Sequence, residues 1–266
     1  MKRTLMTTAA ICAALLLATG ANAADKYFYH TQGTPQAWTS ANWYTAPDGG
    51  GSSTTKPGTS DRAIIEADCF MSTSEEAESI EVEVGQELDI RTNQTLTLNN
   101  GSSEDSVIAG TLDLEASGSE LEFTTNNHQI SGAGKIDGSS DSARLRISSA
   151  ITVTVSQHTS VTGAMEIRAG SGTLDNDGTV EADNAGAGNS TLTCFDGTFA
   201  GSGEYKVSTV GATMQFSSGI SDTGMAADFT MTAGTLDVNE EVVTTGEYSQ
   251  TGGTLDVVAG KKFQAS

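Results

Sequence analysis

The segment Phe229-Thr-Met-Thr-Ala-Gly-Thr-Leu-Asp-Val238 is answered nineteen positions later by Tyr248-Ser-Gln-Thr-Gly-Gly-Thr-Leu-Asp-Val257. One unit is written twice: two short alternating segments joined at glycine. A unit this small cannot bury its own apolar face, and a fixed period of about 20 residues is the mark of stacked coils sharing one core. The Gly-Thr-Leu-Asp tetrad recurs at 110–113, 172–175, 234–237 and 253–256. The first three copies are evenly spaced, sixty-two positions apart, and the last follows after nineteen. Taking the longer interval as three coils predicts a coil of about 20 to 21 residues and a rod of about ten coils, on the order of 50 Å long.

From Ser79 onward, runs such as Glu87-Leu-Asp-Ile90, Thr95-Leu-Thr-Leu98, Thr111-Leu-Asp-Leu114 and Glu120-Leu-Glu-Phe123 alternate with period two. This predicts Val82, Val84, Leu96, Leu98, Leu112 and Leu114 inside and their polar neighbours outside. An all-β sandwich is the competing fold. Against it stand strands shorter than the typical length for globular proteins and turns built on single glycines rather than hairpin dipeptides. The expected fold is therefore all-β, a right-handed parallel β-helix, with the hand taken from the rule for parallel crossovers.

Residues 1–23 hold Lys2 and Arg3, an apolar run from about Ala9 to Ala18, and Ala21-Asn22-Ala23. That order predicts a secretory signal peptide cut after Ala23, because the run is too short to span a bilayer. No second long apolar segment follows, so no membrane span is expected. The formal charge of −21, from 13 basic and 34 acidic residues, argues against a nucleic-acid partner, which needs clustered Lys and Arg. Two cysteines would remain in the mature chain, Cys69 and Cys194; several coils apart, they are expected as free thiols.

Residues 24–70 contain both tryptophans and all three prolines, which predicts an aromatic amino-terminal cap and first strand ahead of a solenoid over 71–266. The stretch from Asp48 to Lys56 reads as a flexible loop. Within the cap, Trp38, Asn42-Trp43, Pro57-Gly58 and Asp61 before Ala63-Ile64-Ile65 occur in an order that resembles secreted bacterial β-helix surface proteins of the autotransporter-passenger type. The resemblance implies a right-handed parallel β-helix at a cell surface. Such a passenger would continue into a membrane barrel, and no barrel-like series of strands is expected here.

Four constellations are candidates for chemistry. Asp237 and Asp256, one repeat apart, would stack about 4.8 Å apart and could share Ca²⁺ with other oxygens, whereas two exposed like charges at that distance need no metal, repelling by only about 1 kcal/mol in water. Asp113 and Asp175 are expected to lie too far from the next tetrad to join them. Arg144 and Arg146, on one strand face, could meet an acidic polysaccharide or form a solvated outer face. Trp38, Trp43 and Tyr44 could stack sugar rings or close the first coil. Thr-x-Thr pairs at 95–97, 152–154, 191–193 and 230–232 raise an ice-binding reading, weakened by the coils between them that lack the pair. No residue set of a β-helix lyase or hydrolase stands out, and no residue is assigned a catalytic role.

The expectation is thus a secreted, non-enzymatic structural, surface-matrix or adhesion solenoid, partnered by itself or by other surface proteins and able to associate end to end. The alternative is a carbohydrate-binding or polysaccharide-degrading β-helix.

Overall fold

A computed structural model describes residues 24–100, 105–184, 190–221 and 225–266. The segment read as a signal peptide, 1–23, lies outside the described residues. The described residues form an all-β parallel solenoid with three long ladders of strands, beside a two-stranded parallel pair of Val242–Val243 with Phe263–Gln264.

The first ladder runs Ala24–Phe28, Asp61–Ile65, Ser79–Val82, Ser106–Ile108, His128–Ser131, Thr152–Val155, Thr173–Asn176, Gly197–Ala200 and Ile220–Ser221, each parallel to the next. The second includes Cys69–Met71, Glu87–Ile90, Thr111–Leu114, Thr179–Ala182, Glu204–Val207, Asp228–Met231 and Tyr248–Gln250. The third includes Glu75–Ala77, Thr95–Leu98, Glu120–Phe123, Thr191–Phe195, Thr213–Phe216, Thr235–Val238 and Thr254–Val257. Strands Lys135–Ile147 and Ser160–Arg168 are long enough to serve both the second and third ladders. Parallel pairing throughout the coils excludes the sandwich, whose neighbours would be antiparallel hairpins.

Alternation places the core. The strands at 95–98, 111–114 and 235–238 all bury their second and fourth residues, and Leu96, Leu98, Leu112, Leu114, Leu236 and Val238 belong to one continuous hydrophobic cluster. Val84, expected inside, is 80% exposed. Its strand stops at Val82 because the chain turns at Glu83–Gln86, closed by the Gln86 amide on the Glu83 carbonyl at 3.0 Å, with Gly85 at a φ of +78°. Cys69 and Cys194 are buried free thiols.

The tetrads do not share a face, which corrects the period. Thr111–Leu114 lies on the second ladder, Thr173–Asn176 on the first, and Thr235–Val238 and Thr254–Val257 on the third. Only the interval of nineteen is one full coil, stacking Leu236 on Leu255. Elsewhere in the solenoid body a register step is as short as that from Ala63 to Ile80, or as long as that from Met165 to Leu192. Strands stay short while corner loops vary, so identity of sequence and identity of position come apart.

Corners set how closely coils approach. A Cβ on Gly134 would sit 2.1 Å from the Gly110 carbonyl oxygen of the coil beneath, so only glycine fits there.

The amino-terminal region is integral to the rod, since Ala24–Phe28 is already the first parallel strand. Trp43–Tyr44 then pairs antiparallel with Tyr27–Phe28 and covers that edge. Residues 48–56, expected as a loose loop, are tied down: Tyr44 bridges Ser53, and the Asp48 amide donates to Glu66 Oε2 at 2.8 Å. Among the described residues no helix is long and apolar enough to cross a membrane.

Candidate functional site

The site that register builds is a row of carboxylates on the outer face of the second ladder. Leu88, Leu112 and Ile136 point inward and stack, so the following residues, Asp89, Asp113 and Asp137, stack outside. Two positions earlier, Glu87 lies beside Thr111 and Thr111 beside Lys135. Glu87, Asp89 and Asp113 each present one oxygen within 4.8 Å of the others. Three hard anionic oxygens this close form an arrangement able to hold a divalent cation.

Local charges are uneven along the row. Lys135 bonds Asp137, whose other oxygen accepts from the Thr162 hydroxyl at 2.8 Å. Lys206 pairs with Glu181 at 2.9 Å further along. Asp113 receives the Ser139 hydroxyl at 3.3 Å. The nearby Arg91 is held by Glu115 at 3.5 Å, and its guanidinium lies 3.5 Å over the Phe70 ring. Burial first, then the Glu87 and Asp113 charges, push the Asp89 carboxyl up to about 7. Burial and the Asp137 charge push Asp113 up to about 6. A carboxylate shifted this way gains from a proton or a cation, because either cancels charge that water solvates poorly there.

Asp237 and Asp256 are register neighbours, as expected. Asp237 Oδ2 accepts from Gln215 Nε2 at 2.7 Å and Asn239 Nδ2 at 3.1 Å, while Asp256 is exposed. Neither belongs to the group of three acids that converges among the described residues.

Arg144 and Arg146 sit on the third ladder in a lattice of opposite charge. Glu120 pairs with Arg144 and Glu122 with Arg146 in register. Arg144 reaches Glu166 at 3.0 Å and Glu120 at 3.9 Å, and Arg146 reaches Glu120 at 3.4 Å and Glu122 at 3.6 Å. Arg168 completes the lattice on Glu166 at 2.8 Å and lies over the Phe195 ring. Three guanidiniums face three carboxylates, so this patch presents little net charge to an acidic glycan.

Trp38 and Trp43 are 2% and 0% exposed. Their rings meet edge to face at 4.7 Å, and Phe28 packs on Trp43 at 5.3 Å. Both rings are therefore packed inside, and neither is open to a sugar. Tyr44 is half-buried in the antiparallel strand. The Thr-x-Thr pairs scatter over all three ladders: 95–97 and 191–193 on the third, 152–154 on the first, and Thr230 on the second.

The acidic trio does not stand out as a unit in the sequence, because identity of letters matches Asp113 to the other Gly-Thr-Leu-Asp tetrads. The usable signal is weaker in letters but constant in spacing: Leu88-Asp89, Leu112-Asp113 and Ile136-Asp137 recur at one even step. No protein-family model, curated protein or solved structure matches the chain.

Proposed function

We propose that the chain is a secreted, non-enzymatic structural or adhesive β-solenoid whose acidic row binds Ca²⁺. The observation behind this reading is the convergence of Glu87, Asp89 and Asp113 on a row where Asp137, and Glu181 beyond Thr162 in the same register, have lysine partners. A parallel stack with an outer face closed by its own ion pairs suits a stiff spacer or scaffold. Secretion rests on the pattern in residues 1–23, and the right-handed, passenger-like identity rests on residues 35–70.

End-to-end association belongs to the same reading. In the described structure strand Thr254–Val257 pairs with Thr235–Val238 alone, and Leu255 and Val257 are half-buried where Leu236 and Val238 are fully buried. That edge offers backbone groups and apolar side chains to a second copy. The carbohydrate reading draws less support, since Arg144 and Arg146 are engaged by glutamates.

Light scattering and negative-stain microscopy of residues 24–266, with and without millimolar calcium, test the proposal. Rods that lengthen or associate with calcium support it. Rods of one length with no response to calcium, together with cleavage of a polysaccharide by the pure protein, would replace it with the enzymatic alternative.

A further inference from the structure

We infer that His128 is an acid-labile joint in the rod, where gain of one proton loosens one coil from the next. His128 opens the strand His128–Ser131 of the first ladder and is 2% exposed. Its ring stands edge-on to Phe123 at 4.9 Å, and neither ring nitrogen has a partner in hydrogen-bond geometry. A neutral imidazole tolerates that environment better than a charged one, because an unpaired charge in an apolar core is costly.

The ring faces Phe123 from the strand Glu120–Phe123, the main chain of Thr125 and Leu98, and the flanking strand through Val153. Burial takes the group down to about 4, against the opposing pull of the Thr125 and Leu98 main chain, which favours the protonated form. Among the described residues no ionised side chain contributes to that shift.

The neighbouring corner couples consecutive coils. Asn100, 1% exposed and at a φ of +31°, donates from Nδ2 to the Asn127 carbonyl at 2.6 Å. Asn126 donates back to the Asn100 carbonyl at 2.7 Å, and Asn127 Oδ1 accepts from the Thr152 amide at 2.9 Å. Asn100 Oδ1 is buried without a partner. Each coil of a solenoid leans only on its neighbours, so a loosened corner is not bypassed by other contacts.

The sign follows from the two proton affinities. An opened His128 titrates near its ordinary 6.5 and the closed one near 4, so the open form takes up the proton first. Stability at the joint is complete above pH 6.5 and is lost as pH falls toward 4. Between pH 7 and 4.5 the open population should rise roughly 50-fold.

The test is amide hydrogen exchange on residues 24–266 at pH 7 and 4.5, corrected for intrinsic rates, in the native protein and in His128→Leu. Opening of residues 98–100 and 124–130 should increase roughly 50-fold in the native protein and less than about threefold in the variant. An equal acid response in both proteins, or none in the native one, overturns the inference. Should His128→Leu fail to fold, the native imidazole is titrated by NMR beside exposed His158. A midpoint near 4 together with the roughly 50-fold acid rise in exchange of the native protein upholds the joint, and a midpoint near 6.5 or the lack of that rise overturns it.

Discussion

Asp89 lies directly against Asp113 on the second ladder, in the same register that seats Leu88 on Leu112 and Ile90 on Leu114. The apolar pairs hold the coils together, and the acids are brought close as a consequence. Core packing thereby stores an electrostatic penalty on the surface that protons or cations relieve.

That penalty has a pH signature. Asp89 and Asp113 are raised in the folded protein to about 7 and about 6. A carboxyl raised on folding costs stability above its folded value, and the cost disappears as pH falls toward the unfolded value near 4. Asp89→Asn should therefore raise the unfolding midpoint at pH 8 and change little at pH 4.5. Burial of His128 acts in the opposite direction below 6.5, so the quantity compared is the difference between variant and native protein at each pH.

Glycine at position 134 is a steric requirement. Gly134→Ala would press its Cβ against the Gly110 carbonyl at 2.1 Å, and overpacking of this kind costs about 1–3 kcal/mol. Gly33→Ala meets nothing within 4 Å and should stay within about 0.5 kcal/mol of the native protein. Urea unfolding of both variants checks the contrast.

The arginine lattice predicts a stability effect without a binding effect. Removing Arg144 leaves Glu166 with Arg168 and Glu120 with Arg146, and partly exposed ion pairs contribute about 0.2–1 kcal/mol each. Arg144→Ala should lower stability by about 1 kcal/mol and leave retention on an acidic polysaccharide column unchanged. Lost retention would instead place a glycan on this patch.

Fold class was legible because alternation and the short exact repeat both report on the core. Leu96, Leu98, Leu112 and Leu114 are buried where the pattern put them. Register was less legible. Corner loops change length without changing the strands, so Gly172-Thr-Leu-Asp175 could migrate to a different face from Gly110-Thr-Leu-Asp113 while keeping its letters. The candidate site was hidden for the same reason, since outward neighbours are set by how many residues lie in the intervening corners. Trp38 and Trp43 show a second limit: aromatic composition flags a cluster, but only packing tells an exposed platform from a buried one.

The most direct test is the thermal unfolding midpoint of residues 24–266 against calcium concentration, for the native protein and for Asp89→Asn with Asp113→Asn. A ligand at about 100 times its dissociation constant stabilises the folded state by about 2.7 kcal/mol, which for a chain of this size is a rise of about 5–10 °C. The account predicts that rise in the native protein and its loss in the double variant. A native midpoint that ignores calcium, or a double variant that responds equally, would contradict it.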